Sequence, residues 1–374
     1  MLRILILAGT LAVPMTATAA VFCVGSTAEF QAALDSAAGN GEPDEIRVKT
    51  GSYSLAAQGQ PLIYVQQVPE DLVVSGGWSD FQTIQCLLQD GGPLDTSLNT
   101  SLEHELFRIL VPTASAATGT PNRFEIRNLS FVGGTQSLLN SSAVLVYDLS
   151  DSADILIDRV FFGANSGFFG AALSLQGLST VMIRNSVFHA NEAIEDNGSI
   201  LIGPGGESRG IYFLNNTVVN NQVDTPESGA CGGLCIEEPD DGNSDYRALI
   251  ANNVLWNNAY TDLRVGAAVV SFYFNSVVAE AVIDPEQQAG VIDTDPLLSQ
   301  QFLDFTPTST SPLIDAGLRE PAPVPDPPFE QDWSLGTLDF YGGLIGRIHA
   351  DGVDIGAVES PYSNTLFRDR FETP

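Results

Sequence analysis

The chain has 374 residues, a formal net charge of −31 and a sequence pI near 4.1. A surface this acidic repels nucleic acid and anionic lipid, so neither is expected as a partner. It is compatible with calcium binding, or with charge that serves only to keep the protein in solution.

Residues 1–20 have the features of a secretory signal peptide. Arg3 precedes an apolar run from Ile4 to Val13, and small residues follow up to Ala19 and Ala20. The apolar run is too short to span a membrane, so we expect cleavage after Ala19 or Ala20 and no transmembrane segment in the mature chain. The sequence therefore predicts a secreted or cell-surface protein, expected to be a monomer.

The mature chain is predicted to begin with a cap at about residues 23–44. The run from Ser26 to Glu29 has the pattern of a capping box, and helical spacing of apolar residues follows at Phe30, Ala33, Leu34 and Ala37. A short helix here would cover the exposed end of a stack of strands. Ile46 and Val48 then alternate inward in what is predicted to be the first rung.

A short phrase recurs six times between Ile126 and Ala279. Its third position falls at residues 128, 159, 185, 215, 252 and 275, and it is Asn in five of the six copies. The copies are 23 to 37 residues apart. Such a loose period is typical of stacked coils with loops of variable length.

Each copy has apolar residues at its first position and three positions after the Asn, and these two positions have opposite parity. Strand side chains alternate between faces, so both point inward only if the chain bends between them. Asn tolerates the left-handed conformation that such a bend requires. The copies therefore predict an all-β parallel β-helix, a single-stranded solenoid, rather than a β-sandwich, whose Asn-Gly hairpin turns are scarce here. The corner residues are predicted to form a ladder of stacked amides: Asn128, Asn185, Asn215, Asn252 and Asn275.

The four cysteines are predicted to form structural disulfides. Export would place them in an oxidising compartment, where Cys231 and Cys235 can close a small loop and leave Cys23 to pair with Cys86. The alternative is a metal or redox site, but a CxxxC motif without nearby His lacks the four ligands of a closed zinc site.

The longest insertion between copies, residues 222–247, is the predicted ligand-binding loop. Long loops on a rigid scaffold often carry function, and this one contributes Glu237, Glu238, Asp240 and Asp241. A calcium site is the metal hypothesis, on the spacing of Asp241, Asn243 and Asp245, although no Gly follows Asp245 and Asn252 stands where the loop needs Glu. The alternative is a solvated acidic loop, and no other cofactor is expected.

The C-terminal third carries family motifs. The run from Asn252 to Asn257, the run 292–297, SPLIDAG at 311–317 and VDIGAVE at 353–359 resemble bacterial secreted proteins with a choice-of-anchor Q domain. The resemblance covers about residues 125–360 and implies a right-handed parallel β-helix of the pectin-lyase-like superfamily. Its signature, about residues 290–360, would close a domain that spans residues 21–360.

Two features depart from this family. The Asp-x-x-Gly-x-x-Arg link between the motifs is stretched, with Asp339 and Gly342 followed by Arg347. No anchor is evident in the tail, residues 361–374, whose FRDRFE run resembles the endings of some gammaproteobacterial exported proteins.

The Asp-Gly pairs suit tight turns, so Asp315 and Asp354 are predicted to cap backbone N–H groups rather than to catalyse a reaction.

Two function classes remain open. A non-catalytic exported protein would bind a polysaccharide or cell-surface ligand, or serve an adhesive or structural role, and it would use exposed aromatic rings such as Trp256 and Tyr260. For Trp78 and Tyr212 core or corner packing is expected instead. We regard this class as favoured, because the fold alone does not imply activity.

The alternative is a polysaccharide lyase or glycoside hydrolase acting on an acidic polysaccharide. A lyase needs a basic residue that removes a proton from the carbon beside a carboxylate of the sugar. A hydrolase needs at least two carboxylates at a fixed separation. The best carboxylate set places Glu192, Glu195 and Asp196 one coil from Glu237 and its acidic neighbours. His189 is predicted to be a solvated corner residue.

Overall fold

The computed structural model describes residues 19–81, 85–113, 122–135, 142–195, 198–205, 210–224, 230–238, 246–266, 269–277, 280–281, 287–318, 335–342, 346–348 and 352–362. Strands in these ranges pair in parallel, each with its counterpart in the next coil, which confirms the predicted parallel β-helix. We number the strands along the chain and group them into three walls and a short sheet.

The first wall contains β1 (Ala20–Val24), β2 (Asp44–Lys49), β5 (Leu72–Trp78), β8 (Arg123–Val132), β10 (Asp154–Gly163), β13 (Thr180–Arg184), β17 (Gly210–Leu214), β21 (Arg247–Ala251), β24 (Val269–Tyr273) and β27 (Gln287–Ala289). Ten strands with nine gaps of ~4.8 Å give a rod of about 43 Å. The prediction that the strand of Ile46 and Val48 is the first rung is wrong, because this strand, β2, pairs with β1 one coil earlier.

The second wall contains β3 (Gly51–Ser54), β6 (Thr96–Asn99), β14 (Val187–His189), β18 (Thr217–Val219), β22 (Val254–Trp256) and β25 (Ser276–Val277), with the C-terminal halves of β8 and β10. A short sheet of β11 (Ser166–Gly167), β15 (Glu192–Ala193) and β19 (Gln222–Val223) follows. The third wall contains β4 (Leu62–Val65), β7 (Phe107–Val111), β9 (Val144–Asp148), β12 (Leu173–Leu178), β16 (Ile200–Pro204), β20 (Leu234–Ile236), β23 (Leu263–Val265) and β26 (Glu280–Ala281).

The N-terminal cap is the predicted helix. Helix α1 (Thr27–Ala37) begins after Ser26, whose side chain accepts a hydrogen bond from the Glu29 N–H. Glu29 bonds back to the N–H of Gly25, one residue earlier than a standard capping box requires. The apolar face of α1 is buried as expected, at Phe30, Ala33, Leu34 and Ala37, so the helix covers that end of the core.

The coils bend where the repeat places its Asn. Asn128, Asn185, Asn215 and Asn252 have φ between 50° and 59°, the left-handed region, and Arg159 adopts it in the one copy without Asn. Because the bend reverses the inward parity, aromatic residues stack in the core on its far side. Phe131, Phe162 and Phe188 lie in adjacent coils with ring centroids 5.3 and 4.7 Å apart.

The amide ladder differs from the predicted one in its members. A residue in the left-handed conformation turns its side chain out of the coil, and the residue after it points in. The inward ladder of the first corner is therefore Asn216, Asn253 and Asn275, of which Asn275 belongs to the predicted set. Among the outward members of the predicted set, Asn252 donates its amide to Asn215 at 3.2 Å, so this pair shares the predicted bond. Phe274 occupies the left-handed position of that last copy.

A second inward ladder lies at the corner between the second wall and the short sheet. The side-chain amides of Asn165, Asn191 and Asn221 each donate a hydrogen bond to the side-chain oxygen of the Asn in the next coil, and the row ends at Asn258. Each amide also donates to a backbone carbonyl one coil back, such as Asn221 to Phe188. Buried side chains with all of these bonds made fix the register of the stack.

Both predicted disulfides are present. Cys23 of β1 is joined to Cys86, in the loop after β5. Cys231, which lies just before β20, is joined to Cys235, which lies within it. The first ties the N-terminal coil to its neighbour. The second is buried in the third wall, so it is a structural bond rather than an accessible redox pair.

Candidate functional site

Most of the C-terminal signature forms an arm that lies on the outside of the β-helix. We define the arm as the described residues from 292 to 362. Its apolar side chains cover outward residues of the second wall, where Phe305, Phe340 and Ile355 pack with Phe161 and Val187. A second apolar cluster joins the arm to the outer face of the first wall: Leu335 and Val353 with Leu156, Met182, Tyr212, Leu214, Leu249 and Ala251.

The outward corner amides hold this arm. Asn185 donates to the carbonyl of Leu335 at 2.8 Å, and Asn252 donates to that of Leu318 at 2.9 Å. Asn215 donates to the carbonyls of Asp354 and Gly356. The recurring Asn thus has two roles, because its backbone makes the bend and its side chain donates hydrogen bonds to the arm.

The arm is locked by a buried ionic network. Arg347, 1% exposed, contacts Glu359 at 2.7 Å and donates to the carbonyls of Gly356 and Ala357. Asp339 feels the positive charge of Arg347, and Asp354 joins the network through its backbone N–H, which donates to Glu359. Burial raises the pKa of all three carboxyl groups, and that of Glu359 to about 8. Arg347 offsets part of the desolvation cost for Asp339 and Glu359, whereas hydrogen bonds from Asp315 and Ser360 offset part of it for Asp354.

These contacts explain the C-terminal motifs of the sequence. Asp354 accepts hydrogen bonds from the N–H groups of Asp315 and Ser360, which confirms the capping role predicted for Asp354. Asp339 accepts hydrogen bonds from the N–H groups of Gly342 and Glu359, so the stretched link joins two parts of the arm. The role predicted for the Asp315 side chain stays a prediction. The signature residues named here build and hold the arm.

The predicted ligand-binding residues do not converge on one place. Glu237 and Glu238 follow β20 on the third wall. Trp256 is partly buried under the arm, whereas Tyr260 lies at a corner before β23 with 56% of its surface exposed. Asp240, Asp241, Asn243 and Asp245 lie outside the described residues, so the calcium hypothesis stays a prediction.

The predicted catalytic set is also divided. Glu192 and Glu195 precede β16, whereas Glu237 follows β20, and these strands pair in parallel with Ile202 opposite Ile236. The described carboxylates therefore lie at opposite ends of the strands. Asp196 lies outside the described residues. His189 is not solvated as predicted, because its ring packs on Phe305 at 5.4 Å and burial lowers its pKa.

Glu237 and Glu238 line a groove of about 300 Å³ on the third wall. We call it the tyrosine groove, after Tyr147, which is 43% exposed. Tyr147 is in register with Gln176 and then with Gly203, and the N–H of Glu237 bonds beside it to the Ile202 carbonyl. Gly203 has no side chain, so the wall is recessed there and Gln176 lies across it. Asp148 and Asp151 also line the groove, which makes it acidic.

A second groove, of about 260 Å³, lies on the outer face of the first wall. We call it the arginine groove and define it by Trp78, Arg127, Asp158, Arg159, Arg184 and the arm residue Leu338. Trp78 is not only a corner residue as predicted, since it forms part of this lining while Arg47 stacks on its ring at 4.2 Å. Tyr212 is buried, as expected.

Sequence reasoning missed Tyr147, Gln176 and the arginines. Tyr147 belongs to the third wall, where no repeated phrase marks the strands. The arginines did carry a signal, because the position after the first apolar residue of each copy reads Arg127, Asp158 and Arg184 in successive coils. Such outward positions form one row across neighbouring strands.

Comparison with protein-family models and with curated proteins gives no match for this chain. Within the described residues, no helix is long and apolar enough to cross a membrane. The described part of the chain also holds no group of three His, Cys, Asp or Glu side chains suited to a metal ion.

Proposed function

We propose that this chain is an exported, non-catalytic β-helix protein of the bacterial envelope or exterior that binds a glycan through the tyrosine groove. The observation that carries the proposal is the exposed Tyr147 ring beside Gln176 and Glu238, above the recess at Gly203. An aromatic face stacks on a sugar ring, and amide and carboxylate groups bind its hydroxyls.

The acidic lining restricts the ligand. Asp148, Asp151, Glu237 and Glu238 repel a polysaccharide that carries carboxylates of its own. The tyrosine groove is therefore proposed to take a neutral glycan. Asp148 supports its rim, since its carboxylate accepts hydrogen bonds from the N–H groups of Ser150, Ser152 and Ala153.

Export is part of this proposal, and so is membership of the choice-of-anchor Q family. Both rest on residues 1–20 and on the C-terminal motifs. The two disulfides are compatible with an oxidising, extracellular compartment. An adhesive or structural role of the rod would use the same glycan contact.

The test is a panel of neutral and acidic polysaccharides on the purified mature protein, with and without calcium. Retention is measured together with unsaturated-product absorbance and new reducing ends. We expect retention on a neutral glycan, and about tenfold weaker binding for Tyr147→Ala, which is ~1.4 kcal/mol.

The matched control is Tyr362→Ala, which removes a similarly exposed ring outside the groove, 46% against 43%. It should bind as the unaltered protein does. Equal binding by Tyr147→Ala and the unaltered protein would contradict the site. Formation of product from any glycan would contradict the non-catalytic function and favour the lyase or hydrolase alternative.

A further inference from the structure

The arginine groove follows from a row of outward side chains on the first wall. Ser75, Arg127, Asp158 and Arg184 stand opposite one another on β5, β8, β10 and β13. Ser75 is small, which leaves space above the row. Trp78 lines this space, and so do the arm residues Thr337 and Leu338.

The carboxylates of the groove are already engaged. Asp158 contacts Arg184 through one oxygen at 3.0 Å and accepts from Asn185 through the other at 3.1 Å. Glu45 contacts Arg47 at 2.6 Å. Neither carboxylate neutralises Arg127 or Arg159 by direct hydrogen bonding among the contacts of the described residues.

Two arginines keep donor capacity. Arg159 donates to the Asn128 side chain at 2.7 Å, and Arg127 contacts Glu125. The Nε–H group of each is enclosed yet has no acceptor among the described residues. A guanidinium offers five N–H donors, and an enclosed donor without an acceptor is costly. A bound acceptor would remove this cost.

The charged side chains that line the groove also favour a bound anion. Three arginines and two carboxylates line the groove, which gives 3 − 2 = +1. The chain as a whole carries −31. A positive groove on such a chain attracts an anion that the remaining surface repels.

Part of the cluster also serves the arm. Gly342 and Gly336 lie against the guanidinium groups of Arg159 and Arg184, where a Cβ would make close contact with them. Substitution of either arginine would therefore disturb the arm as well as the groove. Arg127 has no such contact, which makes it the informative position.

We propose that the arginine groove binds an oxyanion, a carboxylate or a sulfate, carried by an acidic sugar. The planar donor fork of arginine matches both groups, and the Trp78 indole adds an apolar edge for the sugar. The volume is slightly below that of sites for drug-sized ligands, ~300–1,000 Å³, so the groove holds part of a chain. This inference shares with the proposed function only the glycan class of ligand, since the two grooves lie on different walls.

The test is calorimetric titration of the mature protein with sodium sulfate, a uronic-acid oligosaccharide, a sulfated oligosaccharide and a neutral one. We expect at least one of the three anionic ligands to bind and the neutral one to leave this groove empty. Arg127→Gln should weaken anion binding at least about tenfold, as expected for loss of a charge-assisted hydrogen bond. Arg127→Lys should retain part of it.

Arg123→Gln is the matched control. Arg123 lies on the same strand, is 42% exposed like Arg127 and contacts the same carboxylate, Glu125, but it does not line the groove. It should bind anions within about twofold of the unaltered protein. Binding of sulfate alone, or of either acidic sugar, supports the shared oxyanion chemistry and identifies its source. No anion binding, or equal weakening by Arg127→Gln and Arg123→Gln, would overturn the proposal.

Tyr147→Ala separates the two sites. It should leave anion binding unchanged, so loss of neutral-glycan binding with intact anion binding supports this inference independently. Anion binding that disappears in Tyr147→Ala would assign the anion to the tyrosine groove and overturn it.

Discussion

The outer face of the first wall has two halves that differ in chemistry. On the N-terminal coils it carries Arg47, Arg127, Asp158 and their neighbours, and an open groove lies above them. On the C-terminal coils the same row continues as Leu214 and Ala251, which the arm covers. The register and the buried side of the strands continue unchanged from one half to the other.

The difference shows which residues decide fold and which decide function. Inward positions of both halves are apolar and specify the coil, whereas outward positions are free to differ. Where they are apolar, the chain covers them with its own C-terminal segment, because exposing that surface to water is unfavourable. Where they are charged, the wall stays open for a ligand.

Removing the lock of the arm should have the largest effect on this contrast. Arg347→Met leaves the buried Glu359 without its ion-pair partner and two carbonyls without a donor, which should destabilise the docked arm by about 3–5 kcal/mol. Limited proteolysis should cleave within the arm, and urea unfolding should gain an early transition.

The control is Arg123→Met, which breaks an ion pair whose arginine is 42% exposed. Its effect should stay below about 1 kcal/mol. Equal resistance of the arm to protease in Arg347→Met and the unaltered protein would contradict the lock.

The inward ladder at the corner between the second wall and the short sheet should be the next most sensitive feature. Asn221→Ala removes the acceptor of two Asn191 donors and the donor to Phe188, at a cost of about 1–3 kcal/mol in unfolding free energy. Asn99→Ala, which breaks a partly exposed bond to Ser52, should cost less than half as much. Equal unfolding midpoints of the two variants would show that the ladder contributes little.

A smaller effect is expected from pH. Since burial raises the pKa of Glu359 from 4.5 to about 8, its contribution is complete below the unfolded value and is lost as pH rises through about 8. Arm docking should therefore weaken progressively as pH rises from about 4.5, and the last part of this loss falls between pH 7 and pH 9. His189 is partly buried and its pKa is lowered, so it acts at the acidic end of the range and leaves this interval unaffected.

Glu359→Gln tests this sign, because it keeps an acceptor for Asp354 and Arg347 but cannot ionise. Proteolysis of the arm should then change less between pH 7 and pH 9 than in the unaltered protein. A docked arm that becomes more resistant as pH rises would contradict the assignment.

The sequence predicted the fold well because the repeated phrase encodes local conformation. Asn128, Asn185, Asn215 and Asn252 revealed the bend, and the spacing in α1 revealed the cap. The pattern did not show which side chain at each bend turns inward, so Asn216 and Asn253 were missed as ladder members. The inward side chain belongs to the residue after the left-handed one, because the left-handed residue itself faces out of the coil.

The sites were less predictable. The tyrosine groove brings Tyr147 to Glu237 across 90 residues, and only the register of the third wall joins them. The arginine groove requires the arm, since Leu338 closes one side of it. Long-range docking of this kind leaves little local pattern, whereas the outward row of Arg127, Asp158 and Arg184 can be read once the strands are aligned.

One half of the first wall is open and cationic, whereas the Arg347–Glu359 lock of the arm is buried. Residue-resolved modification of arginines by phenylglyoxal, followed by peptide mass spectrometry, tests this contrast most directly. Arg127 should react early and be protected by an anionic ligand, whereas Arg347 should stay unmodified until the protein unfolds. Modification of Arg347 in the folded protein at the rate of Arg127, or no protection of Arg127 by any anion, would contradict the account.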